Sequence, residues 1–422
     1  MQDDRRDEVL NRAVEASLAI GENSLGTDTA TGPWQTSTPK ASVPATPAQP
    51  ASASTQPAAA VSASSASASA TNSGPQNPAP QNASVSDQRL GNSTVKPQGP
   101  VGIDIGTSAI VLAEGRDKKV HDIHRAKFNN TIPFESFYTN VLYEHEIPYF
   151  EMNNFDYVQG YGADNIAKAF HSHPLRPVPA EYSKGQDGVV LCEVILQAII
   201  GRPSTPATPL YFTVPAPALE NDNTKAFVKG TLKAFFSRFG YIAMPVEEGL
   251  AVVMSELHDN NYTGLVVTVG ASVCNIALTY LSVPVVSFSI PKAGDYIDAM
   301  VAQTSNELQF KVKEYKENSF SLSSKPATRL ERGLRIYYED VVTAIVAGLE
   351  KALGGRPPAN INSSIPVVLS GGSVQSDGFL QIFEKALASC RLPLSISGVR
   401  LAQDPVNAAA KGALIMANAE EL

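Results

Sequence analysis

Two similar α/β lobes around a cleft, carried behind a long disordered N-terminal tail, are the fold class this sequence predicts. Three observations predict it. The texture of the chain changes abruptly near residue 99, and the order of strands and helices after that point occurs twice, at a spacing of roughly 160 residues. Each copy also opens with a strand that runs into a turn of glycine and small residues, most of them hydroxyl-bearing.

Residues 7 to 20 place Val9, Leu10, Ala13, Val14, Ser17 and Leu18 on one stripe, which predicts a short amphipathic helix ended by Gly21. Between Trp34 and Leu90 the chain contains no Leu, Ile, Phe, Tyr, Met or Cys. Such a tract buries too little apolar surface to offset its ordering entropy, so residues 1–98 are expected to form a disordered tail. The helix is then a tethered peptide available to a protein or membrane-surface partner.

From Pro100, strands are expected at Val101 to Asp104 and Ala109 to Ala113, joined through Gly106, Thr107 and Ser108, with Lys119 to Ile123 completing a meander. Helical patterns follow at about 189 to 200 and 223 to 239, the second built on Val228, Leu232, Phe235, Phe236 and Phe239 and stopped by Gly240. The strand Leu210 to Val214 lies between them. The second half repeats this order. Leu265 to Val269 and Val273 to Tyr280 flank Gly270, Ala271 and Ser272, and Val285 to Ile290 is the third strand. A long helix through Leu330, Leu334, Tyr338, Val341, Ile345 and Leu349 stops at Gly354 and Gly355, and the strand Pro366 to Leu369 follows. Helices at about 376 to 389 and 406 to 420 complete the half, the last with Asp404 as cap and Pro405 as its first residue. The expected units are therefore the tail 1–98, lobe I at 99–260 and lobe II at 261–422.

Composition narrows the function classes. With 43% apolar and 18% charged residues, the 422-residue chain can bury a sizeable core. A net charge of −8 offers no broad basic field, which argues against nucleic acid as a partner. Cys192, Cys274 and Cys390 lie far apart without a C-x-x-C pair, arguing against a zinc knuckle or disulfide framework and for a reducing cytoplasm. Asp3, Asp4, Asp7 and Glu8 occupy the place where a signal peptide would carry basic residues. Gly264 to Pro291 is uncharged, but Gly270, Asn275 and Pro284 interrupt it, so it reads as buried strands rather than a membrane span. His171 and His173, beside Pro174 and without a carboxylate cluster, read as a solvated loop rather than a zinc pair.

The chemistry sits in the two turns. Successive backbone N–H groups in a turn of small residues point at an anion, and two such turns facing across one cleft would clasp a triphosphate. Either turn alone also fits a plain hairpin that uses glycine for positive φ. Its occurrence in both halves favours the anion.

Beyond this, Val101-Gly-Ile-Asp-Ile-Gly-Thr-Ser108 resembles the first phosphate motif of the actin, DnaK-type chaperone and sugar kinase superfamily, the duplicated ribonuclease H-like actin fold. Thr213-Val-Pro-Ala216 followed by Glu247-Glu248-Gly-Leu-Ala251 is similar to its first connecting segment, and Val267 to Asn275 to its second phosphate motif. Gly294-Asp295 with Asp298, then Val367-Val-Leu-Ser-Gly-Gly-Ser373, then Asp404-Pro-Val with Ala409 and Gly412 complete the series in family order. Within the superfamily, Lys292-Ala-Gly-Asp-Tyr-Ile-Asp298, Val312-Lys-Glu314 and Ser319-Phe320 look most like the bacterial actin homologues MreB and MamK.

The resemblance implies ATP and Mg2+ as cofactors. It puts Asp104 where the family's carboxylate holds hydrated magnesium, with capping of its own turn as the alternative. Glu247 falls where a residue orients the attacking water; its neighbour Glu248 is the other candidate, and a helix-start glutamate without a role is the third reading. Gly106, Thr107, Ser108, Gly270, Ala271 and Ser272 would face the phosphates, Gly294 and Asp295 would support them, and Gly371, Gly372 and Ser373 would approach the adenosine. Lys313 and Glu314 would meet the ribose or base, or else form a solvated pair.

One departure concerns catalysis: the aspartate that opens the second phosphate motif is Thr268 here, and Ser272 and Val273 replace the usual Gly-Thr. Losing a carboxylate near developing charge implies slow or absent hydrolysis. The leading expectation is a filament-forming cytoskeletal protein of the MreB and MamK type, self-associating in the cytoplasm or at a membrane surface. The alternative is a non-hydrolysing, nucleotide-dependent regulatory or scaffold protein related to the DnaK-type ATPase domain. A chaperone-like or kinase-like phosphotransferase is third, weakened by the missing second aspartate.

Overall fold

The second copy of the strand order shows most plainly what the sequence builds. Alternation of β-branched and apolar residues makes Gly264–Val269 (β9) and Cys274–Tyr280 (β10) an antiparallel pair in which Val269 faces Cys274, and Val283–Ile290 (β11) pairs antiparallel beyond them. Ile365–Ser370 (β12) lies parallel to β9, and Ile396–Leu401 (β13) parallel to β12, giving the order β11-β10-β9-β12-β13. The first copy has the same plan. Val101–Ile105 (β1), Ile110–Arg116 (β2) and Lys119–Ala126 (β3) form the meander, and Thr208–Val214 (β7) and Tyr241–Glu247 (β8) add in parallel, in the order β3-β2-β1-β7-β8. Between them, Thr131–Glu135 (β4), Tyr149–Met152 (β5) and Phe155–Gln159 (β6) form a small antiparallel sheet in the order β4-β6-β5.

This computed structural model describes residues 95–116, 119–126, 131–135, 142, 149–152, 155–159, 163, 176, 186–219, 224–354, 361 and 363–420. All of them fall within one compact unit, Asn82–Leu422. The helix expected at 7–20, the low-complexity tract and the His171 and His173 pair lie outside the described residues.

Two helices, Gln186–Ile199 (α1) and Thr224–Arg238 (α2), cover the first sheet, where Ile103, Phe212, Ile195, Leu232 and Phe236 share one core. Four helices serve the second: Gly294–Ser305 (α4), Gln309–Asn318 (α5), Arg329–Leu353 (α6) and Phe379–Ser389 (α7). In α6, Thr328 and Glu331 form a capping box, Leu334, Tyr338, Val341, Ile345 and Leu349 recur on the buried face, and Gly354 takes φ 57° at the stop.

The remaining helices change sides. Glu248–Glu256 (α3) follows β8 of the first sheet yet packs on β9 and β10, whereas Ala408–Ala419 (α8) follows β13 of the second yet packs on β1, β2 and β7. The two pack against each other where only small residues fit: a Cβ on Gly412 would lie 1.6 Å from the carbonyl oxygen of Ala251. Gly412→Ala is therefore expected to cost about 3 kcal/mol in denaturant unfolding, because backbone rather than a flexible side chain must yield. The start of α8 differs from expectation. The carbonyl of Asp404 accepts the amides of Asn407 and Ala408, so a turn precedes the helix, Asn407 is its cap and Pro405 stays outside it.

The sequence reading lacks β8 and β13, the outermost strands of their sheets. Pro245 interrupts β8, and Ile242 and Met244 stand out to solvent, as an edge strand allows and a central strand does not. Gly398 weakens the pattern of β13 in the same way.

Candidate functional site

The two turns are built alike. After β1, the Gly106 N–H donates to the carbonyl of Ala109 at 3.1 Å; after β9, the Gly270 N–H donates to that of Val273 at 3.1 Å. The exchange of α3 and α8 brings the strand ends face to face, and the Thr107 hydroxyl donates to Ser272 Oγ at 3.1 Å. Lys313 on α5 reaches the opposite turn, 3.4 Å from Ser108 Oγ, and Arg176 pairs with Asp295 at 2.5 Å. The resulting cleft encloses about 560 Å³, within the range of small-molecule sites.

Its floor carries two carboxylates. The end of β1 brings Asp104 beside Thr213 on β7, whose hydroxyl accepts the Ile105 N–H at 3.0 Å and donates to Asp104 Oδ1 at 2.6 Å. Glu248, the first residue of α3, is the other. Burial, then the neighbouring charge of Asp104, pushes its pKa up to about 8, against a hydrogen bond from Thr268 that favours the ionised form. Asn275 Nδ2 donates to Glu248 Oε2 at 2.6 Å.

Glu247 does not border the cleft, and the expectation that placed it there is corrected: β8 ends on it, and its carboxylate accepts the Ser287 hydroxyl. Thr268 is fully buried and stands behind the wall, opposite Asn275 in the β9–β10 pair, so it touches the site through Glu248. Glu314 is also misplaced. Lys313, Lys316, Glu317 and Asn318 of α5 face the cleft, and Glu314 lies on the exposed side.

The other expected residues gather as one scaffold. The amides of Gly294 and Asp295 donate to the carbonyls of Gly270 at 3.1 Å and Ala271 at 2.7 Å, so the start of α4 braces the second turn. Ser373 braces it from the other side, its hydroxyl donating to Gly270 O at 3.0 Å. Gly371 takes φ 96°, and a Cβ there would lie 2.5 Å from the carbonyl of Val269, so β12 turns into the cleft only with glycine at this point. Gly372 begins a short 3-10 turn, Gly372–Gln375, along the rim.

Four more residues border the cleft. Lys316 and Asp298 form an ion pair of 2.7 Å with side chains 6% and 2% exposed, and Lys316 also donates to Gly294 O at 3.0 Å. Burial raises the Asp298 pKa and Lys316 opposes the rise. Phe320 and Tyr338, stacked with ring centroids 5.9 Å apart, also line the cleft. Asp298, by its spacing after Gly294, and Phe320, in Ser319-Phe320, carried a signal in the sequence; Lys316 and Tyr338 carried none as site residues.

The chemistry of the wall suits a polyphosphate with a hard cation. Asp104, Glu248, Asp295, Asp298, Glu317 and Asp377 outnumber Lys313 and Lys316 along it. Among the described residues no group of three or more His, Cys, Asp or Glu could hold a metal. That set fits magnesium, which keeps several waters and takes one or two protein carboxylates with phosphate oxygens, better than a cation needing an all-protein cage.

Two copies of one α/β plan, joined by exchanged helices and closed over paired turns, make this an actin-like fold. Among solved structures, a MamK double helical filament is 19% identical, with a TM-score of 0.55, over 76% of this chain and 99% of that one. MreB5 of Spiroplasma citri is 14% identical, with TM-scores of 0.54 bound to AMPPNP and 0.52 bound to ADP; each alignment covers 76% of this chain, and 96% and 97% of the respective MreB5 chains. The chain belongs to the Volactin family, whose family model matches residues 100–417. No curated protein matches it significantly. Among the described residues no helix is long and apolar enough to cross a membrane.

Proposed function

We propose that this protein binds ATP with magnesium in the cleft, assembles with copies of itself into filaments and hydrolyses the nucleotide weakly. The observation that carries the reading is the meeting of the two identically closed turns at Thr107 and Ser272, in the cleft that Asp104 also lines. MamK as a double helical filament and MreB5 bound to AMPPNP or ADP support it by analogy of fold. Lobe boundaries at 99–260 and 261–422, with α3 and α8 exchanged, a cytoplasmic location, and a protein or membrane-surface partner for residues 7–20 complete the proposal.

Each residue has a task in this reading. Asp104, fixed by Thr213, would hold the hydrated cation, and a bound magnesium ion would supply charge neutralisation at the phosphates. The turn amides would bind phosphate oxygens, with Lys313 beside them. Glu248 would orient a water by accepting its proton, which requires the ionised carboxylate. In the metal-free site burial and the charge of Asp104 raise its pKa to about 8 and so work against the ionised form, and at Thr268 there is no second carboxylate to help. The expected result is a slow switch. These same two facts favour the alternative, a non-hydrolysing regulatory or scaffold protein.

Calorimetry with ATP and magnesium, sedimentation and phosphate release together decide among these. Uptake, pelleting and slow release support the proposal; uptake without pelleting or release selects the non-hydrolysing alternative; no uptake removes both. Because carboxylates dominate the wall, chelating divalent cations is expected to weaken ATP binding at least about ten-fold. Equal affinity with and without chelator would contradict the metal role.

A further inference from the structure

A strap from the first lobe is seated on the second by one buried polar rung. Asn275 on β10 faces Thr268 on β9 and Ser289 on β11, and the three are 0%, 0% and 3% exposed amid apolar neighbours. After β7 the chain leaves the first sheet and lays Ala216 to Leu219 along the edge of β11. The Ser289 amide donates to Pro217 O at 2.7 Å, Ser289 O accepts the Leu219 amide at 3.1 Å, and Ala218 bridges Ser289 in parallel. Both polar groups of the Ala216 main chain go to this rung: its N–H donates to Asn275 Oδ1 at 2.9 Å, and its carbonyl accepts the Ser289 hydroxyl at 2.8 Å.

The other end of the same amide, Asn275 Nδ2, holds Glu248. A buried amide is stable only with its donors and acceptor engaged, so its two ends are not independent. Loss of the Ala216 amide leaves Oδ1 without its donor, and loss of Glu248 leaves Nδ2 only its longer bond, 3.4 Å, to Thr268 Oγ1. The strap also leads back to Thr213, which fixes Asp104, so the carboxylates on the cleft floor are joined through it.

We propose that Asn275 is a positioning residue that ties the Glu248 carboxylate to the strap at Ala216, so that Glu248 is set for its task only while the strap is seated and the lobes are closed. This rests on the reading of Glu248 as the water-orienting group. It adds a gate, since opening of the lobes at the strap would unseat Glu248.

The test uses the full chain without nucleotide and follows hydrogen exchange at the amides of Ala216, Ala218 and Leu219. Glu248→Ala is expected to speed exchange there about ten-fold, because the hydrogen bond from Asn275 Nδ2 to Glu248 Oε2 is lost. Glu248→Gln, which still offers an acceptor, should restore the parent rate to within about three-fold. In an Asn275→Leu background, or Asn275→Ala if the leucine variant does not fold, the strap should exchange fast whichever residue occupies position 248. Unchanged strap exchange in Glu248→Ala, equal exchange in Glu248→Ala and Glu248→Gln, or a persisting difference between them without Asn275, overturns the proposal. A calorimetric titration of the parent with ATP and magnesium runs alongside. Failure there removes the nucleotide reading and leaves the exchange result to judge the tie itself.

Discussion

Asp104→Asn is expected to weaken binding of the magnesium nucleotide by about two orders of magnitude while leaving the fold intact. The substitution keeps shape and, through its Oδ1, an acceptor for the Thr213 hydroxyl that now bonds Asp104 at 2.6 Å. What it removes is charge at the point where the two turns converge. Without divalent cation the two chains should bind nucleotide about equally. Calorimetric titration with and without magnesium checks both statements, and affinities within about three-fold of each other in magnesium would take Asp104 out of the metal role.

Glu248→Gln is expected to have two effects. Phosphate release should fall about 100-fold or more, the usual scale for losing a positioned general base. The variant should also gain stability at alkaline pH. The folded-state pKa of Glu248 is raised from 4.5 to about 8, so between these values the native chain holds a proton that the unfolded chain has released. Stability therefore declines as pH rises through that window, and above it the parent carries the full penalty of a buried charge beside Asp104. At about 1.4 kcal/mol per unit, the difference is at most about 5 kcal/mol. Melting curves of the two proteins, free of metal and nucleotide, should coincide near pH 4 and separate toward pH 9 with the variant higher. Parallel decline of both would show that another group titrates.

Much of this was legible because the strongest signals are periodic or conformational. The stripe from Leu330 to Leu349 with its Gly354 stop fixes α6, and the two glycine-opened turns mark the cleft before any contact is known. The errors fall where direction depends on a boundary. Glu247 and Glu248 are adjacent, but a strand ends on one and a helix begins on the other, so their side chains leave toward Ser287 and toward the cleft. A shift of one residue in that boundary would exchange their places. Glu314 is placed differently as well: Lys313, Lys316 and Glu317 of the same helix border the cleft and Glu314, exposed between them, does not. The Lys316 and Asp298 pair joins separate helices, and no local pattern announces it.

Helix α8 also has a consequence for biosynthesis. Ribosomes work at roughly 5–20 residues per second from the N-terminus, so strands β1, β2 and β7 are made long before the helix that covers them. Throughout manufacture of the second sheet, an apolar surface meant for Ala410, Ala413 and Leu414 waits in water. Ribosome-bound chains extended at the C-terminus by a linker long enough to fill the exit tunnel should therefore show protease resistance in the first sheet that chains halted before Ala408 lack.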